Sequence, residues 1–152
     1  MHALHGGLAA LALLAGCAAT QQAFVVVPLA PTPASVGAQA RATLVPQASG
    51  THIELFFTAA GTQPTLPLHV YTYLYEGPCD ALPPQASHSL NERVLVRTQS
   101  GEIANTRRGA FTLSHEVHLQ VSELLGGRYA LALRAAPQDG GELLYCGALR
   151  AA

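Results

Sequence analysis

The chain has no lysine; all eight of its basic residues are arginine. Charge of either sign is sparse, at 11% of 152 residues, and the formal net charge is −1. That balance gives no field to gather nucleic acid or anionic lipid from a distance. There is no Gly-x-Ser-x-Gly, no His-Glu-x-x-His, no phosphate loop and no pair of carboxylates at catalytic spacing. The motif-borne hydrolase, zincin and nucleotidase readings are therefore removed. A triad assembled in space leaves no such trace, and Ser89, Ser100, Ser114 and Ser122 show no nucleophile pattern. No stretch keeps a 3.6-residue apolar period over three turns, which leaves no basis for a helical bundle. There is no internal repeat. Cysteine occurs three times, at Cys17, Cys79 and Cys146.

What is present begins with an apolar run from Leu8 to Ala15, too short to span a bilayer as a mature helix. It ends in Leu14-Ala15-Gly16-Cys17, which resembles the lipobox of bacterial lipoproteins. The resemblance implies cleavage before Cys17 and acylation (palmitate or a similar chain) of that residue. Ala18, where an Asp would argue for retention, implies the outer membrane with the body facing the periplasm. His2 and His5 stand where Lys or Arg is usual. The other reading is an ordinary signal peptide followed by a free cysteine. Residues 1–16 read as the signal, 17–41 as an Ala/Pro-rich tether, and 42–152 as the folded domain. "FVVV" inside the tether is strand-like, so part of it can dock onto the sheet.

With Cys17 committed to lipid, Cys79 and Cys146 remain as a pair in an oxidising compartment, and a disulfide is the default. A two-thiol metal site is the rival reading.

Beyond the tether, short strand patterns alternate with turn chemistry. "RATLVP", "THIELFFTA", "LHVYTYLYE", "ERVLVRTQ", "GAFTLSHEVHLQV", "RYALALRAA" and "LLYCGALR" are separated by Gly/Pro/Asn/Asp clusters. "SELLGG" allows one helical turn. Such spacing points to an all-β antiparallel sandwich or barrel.

The stretch "HVYTYLYEGPCD" places Tyr71, Tyr73 and Tyr75 on one face of a strand and Val70, Thr72 and Leu74 on the other. The order strand, turn, strand, linker, strand, Cys from Ala42, together with Cys146-Gly147 near the end, resembles the copper/zinc superoxide dismutase-like β-sandwich over residues 42–150. That resemblance implies a Greek-key, immunoglobulin-like sandwich and a Cys79–Cys146 bridge. It also implies that Tyr73 and Tyr75 stand where the family carries a His-x-His copper motif. The family's last copper histidine falls on Leu133 or Arg134. Of its zinc-loop ligands only Asp80 and His88 have counterparts. A neutral phenol is a poor ligand, so the resemblance implies a domain with no metal cofactor and no dismutase activity.

Two functional readings follow. The first is a non-catalytic envelope lipoprotein with a binding or structural role toward an unidentified ligand or envelope partner. Tyr71, Tyr73, Tyr75, Arg107 and Arg108 are its candidate contact residues. Tyrosine supplies amphipathic contact area, and a paired arginine can grip carboxylate or phosphate. The second is a copper- or zinc-binding protein using His52, His69, His88, His115 and His118. His115 and His118, three apart on a strand, fall on opposite faces and cannot chelate together.

Overall fold

The computed structural model describes residues 23–151. The signal segment, Cys17 and the first residues of the tether lie outside the described residues. Nine strands are present among those described: β1 Val25–Pro31, β2 Ala40–Gln47, β3 Gly50–Ala59, β4 Val70–Glu76, β5 His88–Ser89, β6 Arg97–Thr98, β7 Arg108–Val117, β8 Gly126–Ala135 and β9 Leu143–Arg150. A single α-turn, α1 Val121–Leu124, is closed at its start by a capping box between Gln120 and Glu123.

Strand alternation decides which side chains enter the core. On β3, Ile53, Leu55 and Phe57 are fully buried while Glu54 is exposed. On β7, Phe111, Leu113, His115 and Val117 point inward. On β4, Val70, Thr72 and Leu74 are fully buried.

The strands form one antiparallel sheet in the order β5-β4-β8-β9-β1-β2-β3-β7-β6. It curls, so buried residues from both arms share one core: Phe57 and Phe111 from one arm, Leu74, Leu131 and Leu133 from the other. The first strand is the link between the arms. Val25 to Leu29 pair with β2, whereas Ala30 and Pro31 pair with Cys146 and Tyr145 of β9.

The segment between β4 and β7 then crosses the open side. Leu90 N–H donates to the Thr72 carbonyl, Val70 N–H to Val94 and Val96 N–H to Leu68. Arg97 and Thr98 finally pair with β7. Both sheet margins are thus tied down by one strap, which protects edges that would otherwise stay open.

The structure moves two boundaries. The stretch 17–41 is not wholly a tether, because the sheet already begins at Val25 and β2 at Ala40. Val27 and Leu29 supply the period-2 apolar pattern that buries β1, which extends the strand-like "FVVV" to Pro31. "ERVLVRTQ" is mostly not a strand; its regular part is Arg97–Thr98. The rest is the strap, in which Val94 and Val96 hydrogen-bond to Val70, Leu68 and Ala104. The bridge between Cys79 and Cys146 is present, with Cα atoms 5.8 Å apart.

Candidate functional site

The tyrosine strand sits under a roof. Tyr73 faces Ala132 and Tyr75 faces Ala130 across the β4–β8 ladder, and these small residues leave room for the rings. The Cys79–Cys146 bridge, Leu82 and Ala86 complete a second, smaller apolar cluster around them. Tyr75 is only 5% exposed. Its hydroxyl accepts a hydrogen bond from Arg134 Nε at 3.2 Å, and the guanidinium carbon lies 5.7 Å from the ring centroid. The Tyr73 and Tyr75 rings are tilted against one another with centroids 6.1 Å apart. A strand that ends at a cysteine therefore has its outward face covered by the loop which that cysteine fastens.

The candidate tyrosine contact face is only partly exposed. Tyr75 is consumed by packing, and Tyr71 and Tyr73 are half-buried. Arg107 and Arg108 do not join them. They line a separate depression of about 420 Å³ with the Pro33–Ala38 turn and Thr58, Ala59, Gly61 and Thr62. The positions implied for a last copper ligand are also occupied otherwise: Leu133 is fully buried, and Arg134 serves Tyr75.

The histidines are dispersed. His69 Nδ1 bonds the Pro67 carbonyl at 2.7 Å, and His118 Nδ1 the Ser49 carbonyl at 3.3 Å. His88 stands edge-on to Tyr129 with ring centroids 6.0 Å apart. His52 bonds Glu116 through Nδ1 at 2.6 Å. Among the described residues no group of three or more His, Cys, Asp or Glu is placed to share a metal ion. His115 and His118 do take opposite faces, the first 4% exposed and the second exposed.

His115 is the one buried imidazole among the described residues. Its Nε2 is 2.9 Å from Thr72 Oγ1 on the opposite arm. Burial, then Arg93, then His52 lower its pKa from 6.5 to about 4. It is neutral at neutral pH and acts as a polar tie across the core.

A larger recess lies between the strap and the β3–β7 face. Strap residues Glu92, Arg93 and Arg97 overhang the outward face of β3 and β7, where Glu54, Thr112 and Ser114 form the floor. It holds about 710 Å³. Arg97 Nη1 donates to the Gly101 carbonyl at 2.8 Å. The side chains of Glu54, Glu92 and Arg93 make no hydrogen bond or ion pair within the described residues. Charges of both signs therefore face the recess without internal partners. Of its titratable residues only His52 was singled out from the sequence; Glu54, Glu92, Arg93 and Arg97 were not. The outward polar alternation of β3 and β7 was legible there, but the strap that turns a flat polar face into a recess was not.

Compared with known proteins, the chain matches no family model, no curated protein and no solved structure.

Proposed function

We propose that this chain is a non-catalytic, lipid-anchored envelope protein whose β-domain binds a small polar ligand in the recess between the strap and β3/β7. The observation that carries the binding role is the set of unpartnered charges there, Glu54 and Glu92 against Arg93, above the hydroxyls of Thr112 and Ser114. Opposite charges within one recess suit a zwitterion such as an amino acid or a short peptide. The anchored, periplasm-facing placement at the outer membrane rests on Leu14-Ala15-Gly16-Cys17.

We read the fold as kin to the superoxide dismutase-like, Greek-key sandwich with its metal positions rebuilt. The bridge from the loop after the tyrosine strand to the last strand supports this reading. So does Gly147, which lets β9 pass tightly over β1.

Isothermal titration of the purified protein against single amino acids and di- and tripeptides tests the binding role. Saturable binding that Arg93→Glu abolishes, with the fold retained by circular dichroism, is expected. If none of these zwitterions binds, the recess is not their site. Copper-loaded protein is expected to dismutate superoxide no faster than free copper. Faster turnover would overturn the non-catalytic reading.

A further inference from the structure

The outward face of β1 breaks the pattern of the rest of the arm. Outward residues of β3 and β7 are mostly polar: His52, Glu54, Thr112, Ser114 and Glu116. On β1 the corresponding positions and the residue before it are Phe24, Val26, Pro28 and Ala30, and all four are exposed. Phe24 is 63% and Val26 48% exposed. An antiparallel strand normally turns polar side chains to water, so an unbroken apolar stripe marks a surface that meets something other than water.

Three observations identify what meets it. The first is chain length. Because the sheet begins at Val25, Phe24 is seven residues from Cys17, and a fully extended link of that length reaches roughly 25 Å. A body tied to a bilayer at Cys17 stays within that distance of it, and β1 is the part of the domain nearest the tie along the chain. The second is charge. Val26 and Pro28 line an open cleft with Ala148 and Arg150, and no acidic residue lines it. Arg41 lies beside Pro28 across the β1–β2 ladder, stacked on Phe56. Neither guanidinium has a hydrogen bond or ion pair within the described residues, so both are available to headgroup phosphates. The third is strength. Two exposed apolar side chains and two arginines would not draw a protein of net charge −1 out of solution. Once acyl chains have placed the stripe beside the bilayer, docking becomes intramolecular and a weak surface suffices.

We propose that β1 is a membrane-docking strand. Phe24 and Val26 enter the interfacial layer, Arg41 and Arg150 meet lipid phosphates, and the domain is held in one orientation with its strap recess on the neighbouring part of the same arm. This rests on acylation at Cys17, which is part of the proposed function.

The chain has no tryptophan, so a single one reports its own surroundings. The test uses the full, processed chain reconstituted into phosphatidylethanolamine/phosphatidylglycerol vesicles that carry brominated acyl chains. Val26→Trp is compared with Ile103→Trp, which places the probe at an exposed apolar position in the loop beyond the strap. The indole of Val26→Trp should be blue-shifted and quenched roughly twofold or more relative to that of Ile103→Trp, and adding Phe24→Ser should reduce the difference. Equal quenching at the two positions would overturn the proposal, because the domain would then tumble freely on its link. A blue shift at position 26 without bromine quenching, growing with protein density, would also overturn it and assign the stripe to a second copy. Mass spectrometry of the Cys17 peptide separates the two levels. Acylated protein with equal quenching leaves the lipoprotein reading standing and sinks the docking strand, whereas an unmodified Cys17 sinks both.

Discussion

Thr72 and His115 lie on β4 and β7, each one strand in from an opposite end of the strand order, yet the threonine hydroxyl and the imidazole Nε2 are 2.9 Å apart in the core. The contact exists because the sheet curls until its two arms face each other. A buried hydroxyl and a buried imidazole satisfy one another there, which avoids the cost of an unpaired polar group on either side.

The first expectation concerns pH. His115 has its pKa lowered from 6.5 to about 4, by burial first, then by Arg93 and His52. Between those values the unfolded chain binds a proton that the folded chain refuses. Stability should therefore fall as pH drops through this window, by about 3 kcal/mol once pH is below 4. Urea midpoints at pH 7 and pH 4.5 measure it. His115→Asn, which keeps a polar partner for Thr72 but does not titrate, should flatten the difference. A wild-type midpoint that does not move would contradict the burial of a neutral imidazole.

The bridge between Cys79 and Cys146 closes a loop of 67 residues. For that length the chain-entropy argument gives roughly 4 kcal/mol as an upper value. Cys79→Ser/Cys146→Ser should lower unfolding stability by about 2–4 kcal/mol in denaturant. The same variant should increase the exposure of Tyr73 and Tyr75 to aqueous quenchers, because the bridge is part of their roof.

The two tyrosines should separate on loss of the hydroxyl. Tyr75→Phe removes the acceptor of the Arg134 hydrogen bond and should cost about 1 kcal/mol. The Tyr73 hydroxyl has no hydrogen-bond partner among the described residues, and Tyr73→Phe should stay within about 0.5 kcal/mol of wild type. Tyr75→Ala should cost about 3–5 kcal/mol through the space left beside Ala130 and the bridge. Equal costs for the two Phe variants would show that the Arg134 contact is not a stabilising one.

Gly147 should not accept a methyl group. A Cβ there would lie 2.5 Å from Leu29 Cδ2 and 2.7 Å from the Pro28 carbonyl oxygen. The backbone oxygen cannot swing away as a flexible side chain could. Gly147→Ala should destabilise by about 1–3 kcal/mol, while Ala148→Ser, at an exposed position, should be near neutral. Thermal unfolding of both variants makes the comparison.

Much of this molecule is local and was open to reading residue by residue. Alternation in "THIELFFTA" and "LHVYTYLYE" fixes which side chains face inward, because successive Cβ atoms on a strand point to opposite faces. The same rule places His115 and His118 on opposite faces. The cysteine count leaves Cys79 and Cys146 as the available pair once Cys17 is set aside. What alternation cannot supply is the partner of each strand. "VVVPLAP" becomes β1 because β2 and β9 each offer it part of an edge, a fact held in part by Tyr145 and Cys146 near the other end of the chain. "ERVLVRTQ" has a strand's composition and becomes a strap, because its backbone bonds first to Leu68 and Val70 and then pairs with β7. The recess and the burial of His115 depend on the curl of the sheet, and the roof over the tyrosines depends on the Cys79–Cys146 bridge. They arise from pairing between distant segments, which no window of neighbouring residues contains, so only the tertiary structure could decide them.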